Sequence, residues 1–300
     1  MKTARAHSRF AERERFMLAL ILPALLILLA FQVVPILIGA NASFRIYPLF
    51  HPTKTWVGFR NYLRVLTDPL FYGVVLPNTF LFMAASVTGG LAAGMALAVM
   101  LNRRFRGARI VRTVILLPLM IAPVVAAIMV TWMFNDQFGI VNVILQALGF
   151  EPVVWFLYRS TSMAIVILTD IWLWTPWFTI ILLAGLQSLP PEPREAAMID
   201  GAGAWRIFWK VTLPLLRPVL LVCVVIRAID AFRVFDIVWV ITKGEPARST
   251  EVFSIYAYKQ AFVYLNFDLG SAAAIIGAVI IMMVGGVLYW GLSRALEVSR

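Results

Sequence analysis

The sequence predicts an all-α membrane protein with six transmembrane helices. Of its 300 residues, 62% are apolar and 14% are charged, and the mean hydropathy is +0.88. A soluble domain carries roughly a quarter charged residues. Six apolar runs are each long enough to cross about 30 Å of hydrocarbon, which takes about 20 helical residues.

The runs divide the chain into a basic N-terminal arm (1–15), a transmembrane domain (16–292) and a short tail (293–300). Phe16–Ser43 carries no charge. Its Ala40-Asn41-Ala42 imitates a signal-peptidase site, but a signal core is about 7–15 residues and this run is about twice that, so a retained span is expected. Phe71–Leu101 is also uncharged and holds Gly89, Gly90, Ala92, Ala93 and Gly94, small residues that let helices approach closely in lipid. Thr113–Phe134 is broken by Pro118 and Pro123, and Ser162–Leu186 contains Asp170 and Pro176. Leu215–Thr242 carries Arg227, Asp230, Arg233 and Asp236 in its interior, and Leu269–Leu292 is again uncharged.

Orientation follows from lysine and arginine in the loops, which favour the cytoplasmic side. The N-terminal arm, the loop with Arg103, Arg104, Arg106, Arg109 and Arg112, the loop with Arg194, Arg206, Lys210 and Arg217, and the tail hold sixteen; the opposite loops hold eight. Both termini are therefore expected in the cytoplasm. The net charge of +11 is accounted for by this asymmetry, and no nucleic-acid partner is expected. Cys223 is a lone cysteine inside a span, and His7 and His51 are far apart in terminal or loop sequence. The chain has no HExxH, paired CxxC, Walker A or GxSxG pattern, so neither catalysis nor a metal site is expected.

One polar interruption, Pro190–Pro218, has the grammar of a built element. Pro190, Pro191 and Pro193 suit the opening turn of a helix, and Glu192 and Glu195 sit favourably near its positive end. Arg194–Asp200 is expected as a short helix with an alanine ridge, stopped by Gly201 and Gly203. A second helix, Ala204–Val211, is amphipathic and basic, with Leu213-Pro214 and Arg217-Pro218 expected to end it. A hairpin lying on the membrane surface accounts for the second helix; the first is shaped for another protein's groove.

Glu195-Ala196-Ala197, then Gly201 after three residues, then Val211-x-Leu213-Pro214 after nine, resemble the EAA loop of bacterial ABC-importer permeases, with Val211 in place of the usual isoleucine. The outer loops extend the resemblance from Met17 to about Leu292. Trp56-x-Gly58-x-x-Asn61-Tyr62, Asp68-Pro69, Trp132-x-Phe134, Gly139-x-x-Asn142, Phe235-Asp236 and Thr242-x-Gly244 are similar to the carbohydrate branch, and more narrowly to its maltose-permease F type. Gly244-Glu245-Pro246 departs from the Gly-Gly-Pro common there. The resemblance implies a cytoplasmic EAA coupling helix-loop-helix in which Glu195 and Gly201 fix the helix and Ala196, Ala197 and Met198 form the contact surface, with Asp200, Leu213 and Pro214 completing the loop. It implies two ATPase subunits that bind the ATP, a second related permease, an extracytoplasmic solute-binding protein and a place in the bacterial cytoplasmic (inner) membrane. No cofactor is expected in this chain.

Arg227, Asp230, Arg233 and Asp236 alternate in sign every third residue, a spacing that allows pairing along one helix. An unpaired charge at mid-bilayer costs several kcal/mol, so the row predicts a protein-facing or water-facing surface on the translocation path. Asn78 and Asp170 are further candidates for that path. Trp174, with Trp172 and Trp177, suits stacking on a sugar ring as well as core packing. The function expected is the permease of an importer for a sugar or sugar-like solute. The alternatives are a permease for a polyamine, phosphate or lipid, a secondary transporter, which calls for repeated halves the sequence lacks, and a membrane-embedded enzyme, which calls for clustered catalytic side chains.

Overall fold

The computed structural model describes residues 17, 19–46, 54–103 and 105–297. The basic arm, His7, His51, Arg104 and the last three residues lie outside them. The chain divides into two compact units, one comprising Met1–Val65 with Lys259–Ile275 and the other Leu66–Tyr258 with Ile276–Arg300.

In the first unit, α1 (Ala19–Ser43) leads into a two-residue antiparallel pairing of β1 (Arg45–Ile46) with β2 (Thr55–Trp56), followed by α2 (Arg60–Leu66). The Trp56–Tyr62 motif is the lock of this region. Asn61 is fully buried and donates to the carbonyls of Ser43 at 2.9 Å and Arg45 at 2.8 Å. Tyr62 shares a 2.6 Å hydroxyl bond with Ser43, and Phe44 stacks on Trp56.

The second unit is built on α3 (Phe71–Leu101), α7 (Arg159–Ser188) and α9 (Ala204–Phe232). Between α3 and α7 lie α4 (Ala108–Leu116), α5 (Pro123–Met133) and α6 (Ile140–Ala147). The short helix α8 (Glu192–Ile199) precedes α9. Then come α10 (Asp236–Ile241) and α11 (Phe253–Tyr258), and α12 (Phe267–Glu297) passes from the first unit into the second. Glycines set the close approach of α3 to α7: a Cβ on Gly89 would overlap Ile171, and one on Gly90 or Gly94 would overlap Phe178. With Asn78 bonded to Arg159 at the other end, these contacts advance together along both helices, so α3 and α7 run parallel. Helix α9 returns antiparallel, with Gly185 against Leu216 and Val219 and Asp170 against Arg227.

Two parallel spans need one crossing between them, and that crossing is broken. Ala108–Met120 and Pro123–Met133 meet at 95°, so both cannot follow the membrane normal. Pro118 sits in a 3₁₀ turn, Leu117–Met120, and Pro123 opens α5. Five described helices are long and apolar enough to cross unaided; with the bent pair counted as one there are six.

Prolines elsewhere are absorbed. The expected stop at Leu213-Pro214 and Arg217-Pro218 does not occur, and Ala204–Phe232 is continuous. A π turn, Phe208–Thr212, precedes Leu213-Pro214, and the Leu213 N–H donates to the Phe208 carbonyl five residues back. The same device precedes Val34-Pro35 and Leu76-Pro77. Proline lacks an N–H and its ring clashes with the carbonyl four residues earlier; widening the preceding turn removes that conflict inside lipid, where backbone groups must bond internally. The fifth span also ends sooner than its hydropathy suggests. Helix α9 stops at Phe232, and Asp236 starts the separate helix α10.

If the α3–α7 contact sets the bundle, Gly94→Val destabilises the protein by roughly 1–3 kcal/mol of overpacking, read as a lower melting temperature in detergent. Gly286→Val, where a Cβ meets nothing within 4 Å, is expected to leave it unchanged in the same assay.

Candidate functional site

Helix α8 is short and has no buried residue. Pro191 precedes it, and Glu192 and Glu195 lie in its first turn. Its C-terminus is a Schellman cap: Gly201 N–H reaches the Met198 carbonyl at 3.1 Å and Ala202 N–H reaches that of Ala197 at 2.9 Å. Gly201 takes φ +75° in open space, so the backbone angle and not crowding requires glycine. Asp200 is the cap residue. Ala196 and Met198 are exposed and Ala197 is half-buried. Ile199, which the motif does not single out, is 87% exposed.

A cavity of about 660 Å³ separates α8 from the ends of α3 and α7 and the start of α9, lined among others by Arg103, Arg194, Glu195, Met198 and Phe208. The Glu195 side chain faces this cavity with no hydrogen-bond partner among the described residues. Leu213 and Pro214 are half-buried at the π turn. The motif residues are thus gathered at one end of the unit, where α3 and α7 both end.

The second cluster lies between α7 and α9. The Arg227 guanidinium donates through one nitrogen to Asp170 and through another to Asp230 at 2.8 Å. It also lies 4.6 Å from the Trp174 ring centroid, a cation–π arrangement. Arg227 and Asp170 are buried, whereas the Asp230 side chain is 41% exposed. Arg233 is 68% exposed and reaches Asp230 at 3.8 Å. The i,i+3 pairing of Arg227 with Asp230 is present, but the row ends at the helix break, and Asp236 is exposed on α10. Trp172 and Trp177 do not join this cluster; Trp177 packs edge-on to Phe178.

Asn78 is elsewhere. It is fully buried near the opposite end of α3, donates to the carbonyls of Ser249 and Glu251, and accepts from Arg159 at 2.8 Å. Its bonding capacity goes to holding the 245–251 loop, where buried Glu251 accepts two 2.9 Å bonds from Arg248. The sequence reading did not find Arg159, Arg248 or Glu251. Their joint signal was a carboxylate and a guanidinium three residues apart beside Asn78 only in space. Asn142 plays a similar part, bonding Val153 both ways and accepting from the Trp155 indole.

A bundle of apolar spans with a neutralised charge cluster between two of them is a multi-span membrane protein, and the family it matches makes it a membrane transport subunit. The chain belongs to the family of binding-protein-dependent transport system inner membrane components, which matches residues 90–298. It is 37% identical to the trehalose/maltose transport system permease protein of Thermococcus litoralis over 88% of each chain. It is also 35% identical to the sulfoquinovosyl glycerol transport system permease protein of Agrobacterium fabrum, over 77% of this chain and 75% of that one. Its fold matches a chain of a bacterial ABC transporter that imports the acidic polysaccharide alginate, with TM-score 0.83 at 25% identity, covering 95% and 98% of the two chains. The family resemblance read from the EAA loop and the outer-loop motifs is borne out.

The geometry orders the acidic side chains of the cluster. Asp170→Asn is expected to be most damaging, since it leaves a buried guanidinium short of its buried partner, a loss of about 3–5 kcal/mol. Asp230→Asn removes a partly solvated partner and costs roughly 1 kcal/mol. Asp236→Asn is near neutral. Yield and melting temperature of the three purified variants check the order, and a larger loss for Asp236→Asn than for Asp170→Asn overturns it.

Proposed function

We propose that this chain is one transmembrane half of an ATP-driven importer for a sugar or sugar-like solute: an oligosaccharide, polyol, glycoside or glycerol phosphate. The observation that carries the reading is α8: exposed, capped and carrying Glu195-Ala196-Ala197 and Gly201 where an ATPase subunit can grip it. The named substrates of the similar permeases, trehalose or maltose and sulfoquinovosyl glycerol, support the solute class. The complex consists of this chain, a second related permease and two ATPase subunits, served by an extracytoplasmic solute-binding protein. A neighbour crystallised with an alginate-loaded periplasmic protein supports that arrangement.

Closure of the ATPase subunits on ATP moves α8, and α9 carries the movement to the Arg227 cluster because the two helices are joined through Gly201–Gly203. Ala196, Ala197, Met198 and Ile199 supply the contact, and Leu213 and Pro214 shape the start of α9. Asp230, Arg233 and Trp174 border the path, with Arg227 and Asp170 holding them in place; Asn78 acts as a clamp away from it. The termini and α8 face the cytoplasm. The chain does no covalent chemistry and holds no cofactor; ATP is bound by the partner subunits.

Since the strain at residue 201 resides in φ, Gly201→Val is expected to cut ATP-dependent uptake at least ten-fold, whereas Gly201→Asn, which tolerates the left-handed region, retains most of it. Glu195→Lys places a cation at the positive end of α8 and is expected to uncouple as well. Uptake and ATPase rates in proteoliposomes check both, and full coupling in Gly201→Val with Glu195→Lys removes α8 from the mechanism.

The subunit count is a separate outcome. Purification through a tag on this chain is expected to yield one copy of it, one of a different six-span protein and two ATPase copies; two copies of this chain would refute the heteromeric arrangement.

A further inference from the structure

We propose that α4, with the end of α3, forms a binding site for the phosphate headgroups of anionic phospholipids. The broken third crossing is the starting point. Helix α5 has 11 residues, about 16 Å at 1.5 Å per residue, and lies at 95° to the segment Ala108–Met120. We take α5 along the crossing direction, which at 95° lays α4 and its 3₁₀ turn along the membrane surface.

No residue of α4 or of that turn is buried in the protein. Its surface has two kinds of face. Ile110, Val114 and Leu117 are 71%, 56% and 52% exposed and recur at helical spacing. Arg109 and Arg112, three residues apart, share the adjoining face. There Arg103, Arg109 and Arg112 line a cavity of about 770 Å³ together with Phe105, Leu116 and Gln187. Arg112 donates to the Leu101 carbonyl at 3.2 Å, which fixes α4 to the end of α3. The side chains of Arg103, Arg106 and Arg109 have no partner among the described residues. Nor does sequence supply one nearby, since no aspartate or glutamate occurs between Pro69 and Asn135.

An uncompensated arginine cluster calls for an anion, and an apolar stripe beside it calls for hydrocarbon at the same depth. A phospholipid supplies both on one molecule: phosphate in the cavity, acyl chains along Ile110, Val114 and Leu117. A free phosphate uses the arginines and leaves the stripe bare, and a neutral solute leaves the charge unmet. Arg103 also lines the cavity beside α8, so the bound headgroup sits next to the element that carries Glu195.

The test uses the purified transporter complex in neutral detergent, with added phosphatidylglycerol or phosphatidylcholine and bound lipid counted by native mass spectrometry. Phosphatidylglycerol is expected to be retained over phosphatidylcholine by about ten-fold or more. Arg103→Gln with Arg109→Gln is expected to abolish most of that preference, and the double lysine variant to keep most of it. Removing the same charge elsewhere, with Arg206→Gln and Lys210→Gln, is expected to leave it intact, and excess inorganic phosphate is expected not to displace the lipid. Equal retention of the two lipids overturns the proposal, as does an equal loss in the Arg206 and Lys210 variant. Displacement by phosphate would make this a free-anion site. Loss of a protein subunit from the glutamine variant with lipid retention unchanged would make it a protein contact.

Discussion

Arg227 is the constraint around which the second unit is arranged. A guanidinium buried among apolar spans has to be neutralised where it lies, and its partners come from two helices: Asp170 on α7 and Asp230 one turn along on α9. Burying such a group is expensive, so the pair is weak evidence for net stability. Its value is positional. A slide of α9 along α7 by one residue rotates Arg227 away from Asp170 and leaves two buried charges unmet. The register that avoids this also seats Leu216 and Val219 against Gly185. Trp174 closes over the guanidinium from the same helix that supplies Asp170.

The backbone obeys a similar rule. Three x-Pro steps in apolar helices are each preceded by a π turn that re-routes one hydrogen bond. Where two prolines fall close together, at Pro118 and Pro123, a 3₁₀ turn and an extended Ile121 intervene and the helix breaks. The consequences differ in kind. The π turn before Pro214 keeps α9 continuous from Ala204 to Phe232, so its start and Arg227 lie on one helix. The break at residues 121–122 instead turns α4 out of the bundle and leaves its arginines and its apolar stripe uncovered.

The two ends of the second unit contrast in the same physical terms. At one, Asn78 bonds Arg159 and the carbonyls of Ser249 and Glu251, the Glu251 carboxylate accepts from Arg248, and Tyr256 donates to Asp68 at 2.7 Å. At the other, α8 and α4 are unburied and carry polar groups with no partner in the described protein. Polar groups left unpaired on exposed helices are available to ligands or partners, which is the ground of the roles proposed for α8 and α4.

Hydropathy and local spacing determined much of this protein. Long apolar helices lie in four of the six predicted runs, with the third run broken and the fifth shortened, because crossing hydrocarbon is a demand on about 20 consecutive residues and needs no distant partner. The EAA pattern was legible for the same reason: a proline start, an alanine ridge and a left-handed glycine are local backbone chemistry. Tertiary structure decided what distance in sequence conceals. Asp170 and Arg227 are 57 residues apart, so an acid alone in span four gave no sign of which base it served. Asn78, a path candidate in the sequence, donates to the carbonyls of Ser249 and Glu251, more than 170 residues away, which no local pattern announces. Whether a proline stops, widens or breaks a helix was likewise undecided by its presence, because the outcome depends on whether neighbouring turns can re-satisfy the freed carbonyl. Local rules placed the spans, and pairing across the bundle decided which of their polar residues are locked and which remain open.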